Sequence, residues 1–88
     1  MSYYIYILRC KDGSYYTGHA KDVKKRFEMH QKGRGAKYTR MHEPEKLVYL
    51  EECESRGEAM KRERKIKKLS HNKKQQLINN HNNKSDAC

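Results

Sequence analysis

The 88-residue sequence has one proline, three cysteines and no long apolar run. No stretch reaches the roughly 20 apolar residues that cross a bilayer, so a membrane-spanning chain is not expected. The start, MSYYIYILRC, has no basic segment and no small-residue cleavage site, so no secretory leader is expected. Cys10, Cys53 and Cys88 are odd in number and widely spaced. They give neither a disulfide framework nor a Cys-x-x-Cys metal signature. Reduced thiols and a cytoplasmic location follow, with Cys10 and Cys53 as small apolar fillers in or beside strands. Acidic residues are scarce too: 11 against 21 basic ones, a formal net charge of +10. That excess favours an anionic polymer, DNA first and RNA second. A membrane surface fits poorly, because no helix sets a broad apolar face against its lysines. The length allows one domain, without a second substrate domain or a dinucleotide cleft.

What is present is patterned. Residues 3–10 are rich in Tyr and Ile and read as a strand. Lys11-Asp12-Gly13 signals a turn, and residues 14–18 return. Asp22 caps a helix through VKKRFEMHQK that Gly33 ends. Residues 33–46 read as a basic loop, with Pro44 opposing regular structure. LVYLEEC, 47–53, is a third strand. Ser55 with Glu58 forms a capping box for a helix reaching about Leu69. Ser70 caps a last short helix, HNKKQQLI. The expected order is strand, strand, helix, strand, helix, helix. This is a small α/β (α+β) domain with a mainly antiparallel three-stranded sheet over residues 1–78. Residues 79–88 have no apolar pattern and are expected to form a disordered polar tail.

The opening hairpin has two possible registers. A two-residue Asp12-Gly13 turn puts Tyr6 and Tyr16 on opposite faces. A three-residue loop with Gly13 left-handed in a bulge sets Leu8 opposite Tyr16 and Tyr6 opposite Gly18. The tyrosines then share a face as diagonal neighbours. The bulged form is favoured, although Asp-Gly also suits the shorter turn. The tyrosines either line a site or are rim aromatics of the core.

The helices add polar groups at the edges of apolar faces. Val23 and Phe27, about 40° apart on a helical wheel, define the buried side of the first helix. His30 falls beside Val23, and Arg26 lies a little further out. Either they reach a cleft over the hairpin, or Arg26 snorkels and His30 is a hydrogen-bonded core group. In the second helix Glu63 falls inside the apolar arc of Ala59, Met60 and Ile66. A buried carboxylate needs a partner. A metal, bound water or an ion pair with Arg26 or Lys67 would serve.

These residues, in this order, resemble a GIY-YIG nuclease domain, most closely the small stand-alone bacterial proteins of that superfamily. Tyr4-Ile5-Tyr6 stands for the first motif, with tyrosine in place of glycine. Tyr16-Thr17-Gly18 stands for the second, with threonine in place of isoleucine. The match continues through DVKKRFEMHQKG, GAKYTR, KLVYLEE and EAMKRERKIKKLS, and covers residues 3 to about 78. The resemblance implies a divalent-metal-dependent endonuclease. Tyr6 and Tyr16 are then the motif tyrosines, Arg26 the catalytic arginine, His30 a histidine near the site and Glu63 the metal ligand. His19 stands where the repair branch often has lysine, so that position does not carry over.

The chemistry is consistent with those roles. Phosphodiester hydrolysis needs a nucleophilic water, neutralised phosphoryl oxygens and help for the leaving group. Glu63 is suited to one Mg²⁺ or Mn²⁺ with waters completing its shell. Arg26 can fork onto phosphate. A phenol of pKa near 10 acts as a base only if a cation stabilises its anion. Tyr6 is the favoured base, with Tyr16 supporting it and His30 relaying a proton or donating to phosphate.

Lys37, Tyr38, Thr39 and Arg40 in the loop, and Lys61, Arg62, Arg64, Lys65 and Lys68 on the helix, read as a nucleic-acid track of low sequence specificity. Branched or damaged DNA is the expected substrate, bound by a monomer rather than a dimer, with a partner protein to present it. The competing expectation is a binding or interaction domain that keeps the fold without turnover.

Overall fold

The computed structural model describes residues 2–34 and 41–87, with side chains through residue 81. The strands are β1 (Tyr3–Cys10), β2 (Tyr15–Ala20) and β3 (Pro44–Cys53). The helices are α1 (Val23–Gln31), α2 (Arg56–Lys67) and α3 (His71–Ala87). The sheet is antiparallel throughout, in the order β2-β1-β3. The element order is the one expected. β1 is the central strand, and its Ile5, Tyr6, Ile7 and Leu8 are all buried.

Gly13 takes a φ of +85°, and the bulged register results. Cys10 and Ser14 close the loop through Cys10 N–H to Ser14 C=O at 2.8 Å. Asp12 braces it by accepting from the Ser14 amide and hydroxyl. The caps are those read from the sequence. Asp22 accepts from the Lys25 amide, Ser55 from the Glu58 amide and Ser70 from the Lys73 amide. Glu58 also reaches back, to the amide of Glu54, one residue before the Ser55 cap. Gly33, at φ +75°, ends α1.

β3 begins at Pro44, earlier than residue 47. Proline is tolerated as the first residue of an outer strand, where its missing N–H costs no ladder bond. Two irregularities interrupt the β1–β3 pairing, between Ile7 and Leu8 and between Arg9 and Cys10. The first leaves Val48 unpaired, so Leu47 and Leu50, three apart, can both serve the α1 side. α3 is longer than expected and continues past residue 78 to Ala87. The His81 ring lies 4.8 Å from that of Tyr49, which anchors the turn beyond Ile78.

The core lies between the sheet and α2. Ile5, Ile7 and Tyr49 pack with Ala59, Ile66 and Ile78. Alternation sends Tyr4, Tyr6 and Leu8 to the other face, which α1 covers. Among the described residues no helix is long and apolar enough to cross a membrane. Cys10 and Cys53 end strands and are free thiols, as expected.

Candidate nucleic-acid and phosphate site

The register places Tyr6 opposite Gly18 and Leu8 opposite Tyr16. The two tyrosines therefore share the α1 face, with ring centroids 6.3 Å apart and tilted by 47°. Gly18 makes this packing possible. A β-carbon there would lie 2.6 Å from Tyr6 Oη, 2.8 Å from its Cζ and 3.0 Å from Tyr16 Cε2. The glycine is required for lack of bulk, because its backbone is ordinary extended strand.

α1 closes over the pair with His30, which is 1% exposed. His30 Nε2 and Tyr6 Oη are hydrogen-bonded at 2.9 Å. The His30 ring lies 6.0 Å from that of Tyr6 and 5.1 Å from that of Tyr16. Here the helical wheel needs correction. Val23 and Phe27 are half-buried, and His30 is the most buried residue of α1. α1 presents Val23 and Phe27 to the outer strand, where they form a groove with Leu47 and Leu50. Its C-terminal turn meets the tyrosines of the central strand.

Glu63 arrives from the opposite layer, since α2 packs against Ile5 and Ile7. His19 pairs with Ile5 and so shares that face. Glu63 Oε1 lies 3.1 Å from His19 Nδ1, and Oε2 lies 3.8 Å from Lys67 Nζ. The partner need read from the sequence is met by Lys67 and also by His19, which sequence reasoning set aside. Its signal was positional. Strand alternation puts residue 19 on the face opposite Gly18, where α2 lies. The acid group and the phenol group are joined around the β2 edge, because Lys67 Nζ also sits 5.9 Å from the Tyr16 ring centroid.

These residues thus straddle the outer strand rather than ring one enclosed pocket. Arg26 and His19 line one cleft of about 320 Å³ with Lys25 and Arg56. Tyr16 and Lys67 line a second of about 320 Å³ with Tyr15, Thr17 and Lys74. Tyr6, 1% exposed, lies beneath the surface.

The charges act across the strand. Burial pushes the Tyr6 phenol up to about 12; Tyr16 and Glu63 push the same way, and the Arg26 guanidinium opposes them. Burial also raises Tyr16, with Glu63 adding to the rise and Arg26 opposing it. Burial, then Arg26, lowers His30. At neutral pH both phenols therefore keep their protons and His30 is neutral.

A stability prediction follows from Tyr6. Its pKa is higher folded than unfolded, so its contribution is complete below pH 10 and is lost as pH rises toward 12. Urea melts across that window should lose about 2–3 kcal/mol from this group. Tyr6→Phe should flatten the slope.

The donor set limits any metal. Among the described residues there is no group of three His, Cys, Asp or Glu side chains able to hold an ion. Glu63 is a single carboxylate between an imidazole and an ammonium. That does not make a protein-only cage. It fits an ion that keeps its waters and takes further oxygens from phosphate.

The proposed track divides. Lys37, Tyr38, Thr39 and Arg40 lie outside the described residues. Lys61, Arg64, Lys65 and Lys68 are exposed. Arg62 is committed within the fold, its Nε donating to Glu51 at 3.0 Å while Glu51 also accepts from the Tyr49 hydroxyl.

The GIY-YIG catalytic domain family model matches residues 2–76. UPF0213 protein SSP2268 of Staphylococcus saprophyticus is 54% identical over 76 residues, which is 86% of this chain and 93% of that protein. A UPF0213 protein of Staphylococcus aureus is 52% identical over 77 residues, 88% of this chain and 94% of that protein. Two solution NMR structures are also similar. The UPF0213 protein BH0048 from Bacillus halodurans is 49% identical, covers 90% of this chain and 84% of its own, and has a TM-score of 0.57. Protein EF2693 from E. faecalis is 38% identical, covers 91% and 85%, and has a TM-score of 0.63. With the motif tyrosines, Arg26 and Glu63 drawn to one strand edge and a family match over nearly the whole chain, this protein belongs to the GIY-YIG superfamily, alongside its small bacterial UPF0213 members.

Proposed function

We propose that this domain binds nucleic acid by its phosphates along the β2 edge, using the nuclease fold for recognition. The observation that carries this reading is the set of cationic side chains lining the two clefts, Arg26, Lys25 and Arg56 on one and Lys67 and Lys74 on the other. The two phenols stand beside the guanidinium of Arg26, and the Glu63 carboxylate is hydrogen-bonded to His19 and lies 3.8 Å from the Lys67 ammonium. The Arg26 guanidinium and the Tyr16 phenol donate to phosphoryl oxygens, while Tyr6, buried beneath them, is held by His30. The net charge of +10 supplies long-range attraction.

A second reading, hydrolysis of the bound phosphodiester, is favoured by the carboxylate beside those phenols. In it Glu63 holds a single Mg²⁺ or Mn²⁺, which supplies positive charge against the phosphoryl oxygens. Arg26 grips the phosphate. Tyr16 orients the attacking water, and Tyr6 is held in place by His30.

Fluorescence anisotropy with duplex and branched DNA in the presence of a chelator tests the first reading. Binding should persist without metal and weaken steeply between about 50 and 200 mM salt. Absence of binding at the lower salt would contradict it. Adding Mg²⁺ or Mn²⁺ separates the second. Strand cleavage abolished by Glu63→Gln, with binding retained, assigns hydrolysis; intact DNA under both metals assigns binding alone.

A further inference from the structure

The cleft at the outer edge of β2 contains a polar group that the reading above leaves idle. Thr17 is 2% exposed, and its Oγ1 is the one buried side-chain polar atom without a hydrogen-bond partner among the described residues. Threonine here is also the departure from the second motif, where isoleucine would fill the same space without a hydroxyl. A buried hydroxyl with no partner is destabilising relative to an apolar group of the same shape. Two ammonium groups line the same cleft of about 320 Å³, Lys67 from the end of α2 and Lys74 from α3. They repel: Lys74 is pulled below its ordinary value by burial and then by the charge of Lys67. Lys67 already has Glu63 at 3.8 Å; the second cation, Lys74, and the orphaned donor stand beside aromatic walls at a cost to the fold that an anion would relieve.

We infer that Thr17, Lys67 and Lys74 form a phosphate seat on the outer edge of β2, beside Tyr16. The seat takes one phosphate group of a nucleic-acid strand whose neighbouring linkage lies at Arg26. The shared chemistry is a tetrahedral oxyanion. Its source is an internal phosphodiester or a terminal phosphate monoester, which carries close to two charges at neutral pH. The Thr17 hydroxyl donates to one oxygen, and the ammonium groups neutralise the others. Lys67 sits 3.8 Å from Glu63, so the seat adjoins the site described above. The seat rests on nucleic-acid binding for its biological ligand, but its chemistry can be tested without nucleic acid.

The test is an amide NMR titration of the whole chain with inorganic phosphate, repeated in Thr17→Val and Lys74→Gln, beside thermal melts. Phosphate should shift the β2 and α3 amides around Thr17 and Lys74 saturably. Thr17→Val should raise the melting temperature, because it removes an unsatisfied group, and weaken phosphate about tenfold. Lys74→Gln should weaken it similarly without that stabilisation. If Thr17→Val melts higher and binds phosphate as the wild type does, the inference is overturned. The same variants are then titrated with a single-stranded oligonucleotide with and without a 5′-phosphate. A wild-type preference for the phosphorylated strand that Thr17→Val loses assigns the seat to a terminal phosphate. Equal weakening of both strands by Thr17→Val assigns it to an internal linkage; no weakening of either overturns it. DNA binding that depends on Arg26 but not on Thr17 removes the seat and leaves the proposed function standing. Phosphate binding at Thr17 without DNA binding does the reverse.

Discussion

Gly18→Ala should destabilise the domain by about 2–4 kcal/mol, and the loss should centre on the tyrosine site. The added methyl would sit 2.6 Å from Tyr6 Oη and 3.0 Å from Tyr16 Cε2. Neither ring can easily yield. Tyr6 is 1% exposed and tied to His30, and Tyr16 packs against the same histidine. Relief must come from tilting Tyr6 off His30 Nε2 or from moving β2 away from β1. Both break the surface on which the proposed phosphate contacts depend. For a chain of this size the melting temperature should fall by roughly 10 °C or more. Thermal denaturation followed by circular dichroism checks the magnitude, and loss of the His30–Tyr6 contact by NMR checks the location. A variant that melts within a degree or two of wild type would mean that the rings have room the packing does not show.

Arg26→Ala should cost about 10- to 100-fold in DNA affinity measured in chelator, or roughly 1.5–3 kcal/mol. The half-buried guanidinium is the cation that opposes the rise of both phenols, so it lies near both hydroxyls, and in the proposed function it is the group that grips the phosphate. Arg26→Lys should recover only part of the loss, because an ammonium cannot reproduce the fork. Stability should change little. Anisotropy titrations at fixed salt give the answer directly. Affinity that does not move with Arg26 would place the bound strand elsewhere on the cationic surface.

Local chemistry made much of this domain readable in the sequence. Asp22, Ser55 and Ser70 were identified as caps because each short polar side chain precedes a helix at the right offset, and each accepts the expected amide. The turn was only half readable: Asp12-Gly13 suits either loop length, and it is the register, with Leu8 opposite Tyr16 and Tyr6 opposite Gly18, that selects the favoured bulged form. Glu63 stood out because a carboxylate inside an apolar arc must be matched. The identity of its match depends on which strand lies under α2, a non-local fact, and so His19 was missed. The start of β3 was misread for a related reason. Pro44 opposes structure in isolation but suits the first position of an outer strand. Val23 and Phe27 have the spacing of a buried face, yet α1 lies partly over the outer strand, where they meet Leu47 and a 39% exposed Leu50. The length of α3 was not readable either, because residues 79–87 are polar and rich in asparagine, and the anchoring contact of His81 with Tyr49 comes from the tertiary structure.

The phenols and the acid act as one electrostatic unit across β2, although they belong to opposite layers. The most direct measurement is the titration of Tyr16, followed through a ring-labelled carbon, in the wild type and in Glu63→Gln. Glu63 raises the Tyr16 phenol, so removing its charge should bring that pKa down. An identical titration in both proteins would separate the acid from the tyrosines and dissolve the site into two unrelated clusters.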